Sequence, residues 1–231
     1  MGAVLALLPS PLLGPATWQP VKNRLVARGW PVVTPAVAPV APRLPDDVLR
    51  AYLAVLPSDR DLVLIAHSNA GMYVPALTTS RRVVGYVFVD AGLPVGAGRV
   101  PLAPPNVLDF LRGRADADGL LPPWSSWWDD ESVTRLFPDA QVRGQVEREQ
   151  HRLPLSYFVD SVSLPAGWDD RPGAYLAFGD TYVADREEAG RRGWPVVTLF
   201  GRHLHMLVDP RRVAAEMDTL LAMIGVRLRH T

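Results

Sequence analysis

Six short runs of this chain are apolar almost from end to end, at residues 3–8, 31–37, 62–66, 83–89, 174–178 and 195–199. A strand with one face in water alternates apolar and polar residues, because successive side chains point to opposite faces. Runs without that alternation are buried on both faces, which is the condition of a parallel sheet covered by helices. Segments of helical period lie between them, at 17–28, 46–56, 69–79, 186–192 and 210–224. Strand–helix alternation with right-handed crossovers predicts an α/β fold built on a doubly wound, mostly parallel sheet.

One heptapeptide is used twice. Arg28-Gly29-Trp30-Pro31-Val32-Val33-Thr34 recurs letter for letter as Arg192-Gly193-Trp194-Pro195-Val196-Val197-Thr198. In each copy a helix should stop at the glycine, which tolerates the left-handed conformation, and a strand should start after the proline. The alternation breaks once, over residues 92–171. This stretch is rich in proline and holds Trp124, Trp127, Trp128 and Trp168, four of the seven tryptophans. It contains helix-like pieces at 106–112 and 140–150 and no run that reads as a buried strand. It is read as an insertion over one edge of the sheet, which divides the chain into a core of residues 1–91 and 172–231 and a cap of residues 92–171.

A length of 231 residues suits one α/β domain with a modest insertion. The formal charge is zero without long charged runs, which favours neither nucleic acid nor an anionic membrane as partner. There is no cysteine, so disulfides, thiolate metal sites and a cysteine nucleophile are excluded. The apolar start, residues 1–8, lacks a basic leader and is too short to span a bilayer; it reads as the first strand, and a cytoplasmic protein is expected. No dinucleotide or phosphate-binding glycine motif is present, so no cofactor is expected. The pair His203 and His205 has no carboxylate at metal-ligand spacing, and no metal is expected either.

The third apolar run leads into chemistry. Leu62-Val63-Leu64-Ile65-Ala66-His67-Ser68-Asn69-Ala70-Gly71 reads as a buried strand turning sharply into a helix with Ser68 at the apex. Such a turn needs small residues two before and two after the serine, where the backbones nearly touch; Ala66 and Ala70 supply them. The turn lifts the hydroxyl out of the sheet and aims the first helical N–H groups at whatever it attacks. A serine so placed needs a base. His203 lies in the loop between the last apolar run and the last helix, ahead of Leu204 and Met206, whose spacing is that of residues packing inward. His205 is the second candidate, and His67, beside the serine, reads as structural.

The order of a serine elbow, an acid and a histidine before the C-terminal helix, on alternating strands and helices, resembles the α/β-hydrolase fold over essentially the whole chain. The insertion stands where that family places its lid, and the family's two N-terminal antiparallel strands are missing, which implies a small member. The resemblance places the acid at Asp180, in Phe178-Gly179-Asp180, or one strand earlier at Asp90, in Val87-Phe88-Val89-Asp90-Ala91. Both follow strands at their carboxyl ends, where open α/β sheets build their sites. It also implies an oxyanion hole from Asn69 N–H and a second donor in Pro9-Ser10-Pro11-Leu12. Proline has no N–H, which shifts that donor to Leu12. The implied activity is metal-independent, serine-dependent hydrolysis of an ester, thioester or lactone. Trp124, Trp127 and Trp128 would line the pocket for a small-to-medium apolar or aromatic substrate. Two alternatives are a non-hydrolytic enzyme (a lyase or cyclase) using Ser68 and His203 as an acid/base pair, and a non-catalytic binder of a small ligand.

Overall fold

The computed structural model describes residues 2–36 and 41–228. The chain opens with β1 (Val4–Leu8), a 3₁₀ turn at Pro15–Trp18, α1 (Gln19–Ala27) and β2 (Val32–Val33). Next come α2 (Pro45–Val55), β3 (Leu62–Ser68), a 3₁₀ turn at Asn69–Tyr73 that continues into α3 (Val74–Leu77), and β4 (Val83–Ala91). The segment that follows holds β5 (Gly98–Pro101), α4 (Pro105–Arg112), α5 (Asp130–Thr134), α6 (Ala140–Glu147), α7 (Leu155–Val159) and β6 (Ser161–Leu164). The chain then returns through β7 (Gly173–Phe178), α8 (Val183–Arg191), β8 (Val196–Leu199), α9 (His205–Val208) and α10 (Pro210–Met223).

Six strands form one parallel sheet in the order β2-β1-β3-β4-β7-β8. Every residue of β1, β3 and β7 is buried, which is why their sequences show no alternation. The duplicated heptapeptide forms the two edges of this sheet. Gly29 and Gly193 both take positive φ, 93° and 72°. Trp30 N–H and Trp194 N–H then close the same turn on Leu25 and Ala189 carbonyls, each at 3.1 Å. Pro31 and Pro195 accept from the neighbouring strand through their carbonyls, at 2.9 Å in both cases, so each proline joins an edge of the sheet as an acceptor alone. The expected strand over 31–37 keeps only Val32–Val33, and its last residue, 37, lies outside the described residues.

β4 and β7 are neighbours in the sheet, and the intervening chain adds buried apolar residues, among them Leu121, Trp127, Val133 and Phe158, to the same core as the sheet. Its base is an antiparallel ribbon of β5 and β6, two short strands where no buried strand was expected, and neither is buried throughout: β5 is largely exposed and β6 is buried at alternate positions. Val162 and Leu164 point inward while Ser161 and Ser163 point out, a two-residue alternation only four residues long. Among the described residues, no helix is long and apolar enough to cross a membrane.

Candidate active site

Ser68 ends β3 with φ 57° and ψ −133°, a conformation that side chains rarely adopt and that costs about 1–3 kcal/mol. The strain is held by close packing. A Cβ on Gly71 would meet the carbonyl oxygen of Gly92 at 2.0 Å, so the first turn after the serine lies directly on the end of β4. Gly92 N–H donates to the Ser68 carbonyl at 3.2 Å across the same junction. The residue that the close approach requires is thus Gly71, beside the Ala70 singled out by spacing alone.

Among the described residues, Asp90 is the other non-glycine residue with positive φ, 41°. The β3–β4 register explains it: His67 pairs with Val89 and Ser68 with Ala91, so Asp90 is bulged out of the ladder. A bulge re-aims a side chain. Here the fully buried carboxylate turns across the ends of the strands. Its Oδ1 accepts from Phe178 N–H of β7 at 3.0 Å, and its Oδ2 accepts from His203 Nδ1 at 2.7 Å. This bond engages Nδ1 and leaves Nε2 as the ring's other nitrogen. Asp180 stands elsewhere. The chain turns at Gly179, with φ 69°, and the Asp180 carboxylate is 89% exposed, 4.0 Å from Arg186. Of the two candidate acids, only Asp90 is brought to the histidine.

His67 lies beneath this pair. It is fully buried and stacked on His203, with ring centroids 4.6 Å apart. Its Nε2 donates to the His203 carbonyl at 3.0 Å, since a carbonyl can only accept, which leaves Nδ1 without a partner among the described residues. Burial first, and then the neighbouring His203, hold its pKa well below the ordinary histidine value, so it is neutral. His205 is packed under Gly201 and against Phe178, away from the serine.

The serine hydroxyl forms its side-chain hydrogen bond with the Tyr182 hydroxyl, at 3.3 Å. Sequence reasoning passed over Tyr182, two residues beyond Asp180 at the carboxyl end of β7, because no motif marks it. On the opposite flank, Leu12 N–H donates to Ser10 Oγ at 3.3 Å, a long contact that a stronger acceptor could displace. The intervening segment also bonds to the chain near both candidate oxyanion donors. Glu149 accepts from Ala16 N–H at 2.6 Å, beside the positive-φ Gly14 that shapes the Leu12 loop. The Asn69 side chain accepts from Tyr157 Oη at 3.1 Å and donates to the Leu102 carbonyl at 3.3 Å, and Tyr157 is itself bonded to Tyr73.

These groups open into one cavity of about 1310 Å³, walled by residues from both the sheet and the intervening segment. Trp124, Trp127 and Trp128 all line it. Trp124 reaches His203, with ring centroids 5.9 Å apart, while Trp128 is the exposed member at 43%. Trp168 does not share this wall; it packs with Tyr86, Phe88 and Trp194. Among the described residues no group of three or more His, Asp or Glu is placed to hold a metal ion.

The architecture has solved relatives. An extracellular α/β-hydrolase from a Paenibacillus species, described as a structural and functional homologue of tobacco salicylic acid binding protein 2, superposes with a TM-score of 0.74 at 16% identity; 94% of this chain and 98% of that one are covered. A pyrethroid hydrolase from Sphingobium faniae gives 0.66 at 17% identity, covering 97% and 99%. Tomato methylketone synthase I, solved with 2-tridecanone, gives 0.72 at 13% identity, again covering 97% and 99%. No curated protein matches the chain by sequence. At these identities the likeness is one of fold. Residues 3–216, however, match the sequence model of the Alpha/beta hydrolase family from the first strand into the last helix. With its serine elbow, parallel strand order and histidine loop all falling within that match, the chain belongs to the α/β-hydrolase family.

Proposed function

We propose that the protein is a serine hydrolase that cleaves an ester, thioester or lactone, with Ser68, His203 and Asp90 as its catalytic triad. The observation that carries this reading is the Asp90–His203 hydrogen bond of 2.7 Å, built by a strained bulge beside an equally strained serine elbow. Strain of this kind persists where the surroundings hold it in place, and it clusters at reactive sites.

In this mechanism Ser68 Oγ attacks the acyl carbon and its proton passes to His203 Nε2. Asp90 holds the ring in the Nδ1–H tautomer and stabilises the imidazolium. The oxyanion takes hydrogen bonds from Asn69 N–H and from Leu12 N–H, the latter exchanging Ser10 Oγ for a charged acceptor. Collapse of the tetrahedral intermediate expels the leaving group, which takes the proton back from His203. Water then repeats the sequence on the acyl-enzyme and releases the acid. Residues 92–171 act as a lid over the core, and their tryptophans favour an apolar or aromatic substrate of small to medium size. The 2-tridecanone seen in the tomato neighbour is a ligand of that apolar character.

A second reading has one observation in its favour. If Leu12 N–H stays with Ser10 Oγ, the oxyanion site has a single donor. Ser68 and His203 would then serve better as an acid/base pair in a non-hydrolytic reaction. Incubation with a fluorophosphonate followed by intact mass separates the two. The hydrolase reading expects one covalent adduct, lost in Ser68→Ala; an unmodified wild-type protein would reject it.

A further inference from the structure

Tyr182 is a tyrosine whose side-chain hydroxyl has one hydrogen-bond partner among the described residues, and that partner is the nucleophile, at 3.3 Å. The side chain forms part of the cavity wall, is partly buried there, and places its hydroxyl beside Ser68. Burial, more than any neighbouring charge, raises its pKa well above the ordinary tyrosine value. The group therefore keeps its proton and has it to donate. It has been taken out of water for one long hydrogen bond to a serine oxygen, a poor return unless a better acceptor arrives.

The topology says on which side of the acyl carbon that acceptor would lie. In the order β2-β1-β3-β4-β7-β8, Ser68 caps β3. The loop carrying Leu12 follows β1, on one side of it. Tyr182 follows β7 and His203 follows β8, both on the other side, and their rings lie 5.7 Å apart. Tyr182 thus belongs with the base and not with the oxyanion donors. The oxygen that departs from the acyl carbon must face the base, because it takes the proton from His203 Nε2.

Resting on the hydrolase reading, we propose that Tyr182 is a catalytic residue whose hydroxyl donates a hydrogen bond to the leaving-group oxygen, which suits the site to oxygen esters or lactones of aliphatic alcohols. As the tetrahedral intermediate collapses, the bond from acyl carbon to leaving oxygen breaks and its electron pair stays on that oxygen. The proton comes from His203 Nε2, and Tyr182 keeps its own proton while its hydrogen bond stabilises the developing alkoxide. The oxyanion pair reforms the carbonyl. Aryl alcohols, whose anions are stable, gain little from such a donor; alkoxides gain most. Thiolate leaving groups, which are larger and weaker acceptors, gain less than alkoxides.

The test is the leaving-group dependence of kcat/KM in wild type and Tyr182→Phe, on p-nitrophenyl, phenyl and ethyl esters of one acyl group. The variant should lose less than about threefold on the p-nitrophenyl ester and roughly 10- to 100-fold on the ethyl ester. Fluorophosphonate labelling of Ser68, which expels fluoride, should continue at close to the wild-type rate and would confirm that the variant is folded. An equal loss on all three esters would mean that Tyr182 only positions Ser68, and it would overturn the proposal. So would an unchanged profile. If the variant does not fold, the wild type decides alone: a shallow decline of kcat/KM from p-nitrophenyl to ethyl supports the donor, and a steep one rejects it. Failure of the wild type to react at Ser68 at all is a separate result, which removes the hydrolase reading and this inference with it.

Discussion

Gly71→Ala is the substitution that most directly tests how the elbow is held. The added Cβ would stand 2.0 Å from the Gly92 carbonyl oxygen, 3.1 Å from its carbon and 3.2 Å from Phe88 Cδ1. Real Cβ contacts essentially never fall below 3.0 Å, so the junction must open by about 1 Å. The obstacle is backbone at the end of β4 and cannot rotate aside. Overpacking of this kind costs about 1–3 kcal/mol, against which alanine recovers at most about 1 kcal/mol of helix propensity over glycine. The net loss should be about 1–2 kcal/mol, read as a fall in Tm of roughly 2–8 °C for a chain of this size. Activity should fall further than stability. Gly92 is hydrogen-bonded to Ser68 and lies two residues from Asp90, so the displacement moves Ser68 and Asp90, the proposed nucleophile and acid, relative to each other. A misplacement of about 1 Å is worth around 100-fold in kcat. Urea melts combined with ester hydrolysis well below the unfolding midpoint separate the two effects. A variant with wild-type Tm and wild-type kcat would show that the close contact does not fix the elbow.

Asp90→Asn should lower kcat by roughly 10⁴-fold, because the amide no longer enforces the Nδ1–H tautomer of His203, whereas the exposed Asp180→Asn should change it by no more than about twofold; equal losses in the two variants would remove Asp90 from its role. Stability should decline as pH falls below about 6.5, where an unfolded histidine takes up a proton that buried His67 refuses, at up to about 1.4 kcal/mol per pH unit until the depressed folded pKa is reached. Denaturation of wild type and His67→Gln across that window checks this: the variant should show a flatter acid limb, and an unchanged slope would refute the assignment.

What the sequence determined by itself was whatever depends on local pattern. Uniformly apolar runs marked the parallel strands, and β1, β3 and β7 are buried at every position, but the equally apolar runs of β2 and β8 lie at the sheet edges and are only partly buried, which local pattern did not distinguish. The repeated heptapeptide carried its own turn chemistry in a glycine and a proline, and both copies fold alike at opposite edges of the sheet. Small residues around Ser68 marked the elbow for the same reason. The short ribbon of β5 and β6 escaped notice because four residues give only two periods of alternation, too few to stand out among prolines. The choice between Asp90 and Asp180 was not legible at all. Each is a carboxylate just beyond or at the end of an apolar strand, and only the one-residue slip between β3 and β4 turns Asp90 toward His203, 113 residues away in the chain. Tyr182 and the Leu12–Ser10 contact depend likewise on how separate loops converge above the sheet. Local sequence fixes the period and the turns of a chain; the register between strands and the meeting of distant loops are settled only when the whole core packs.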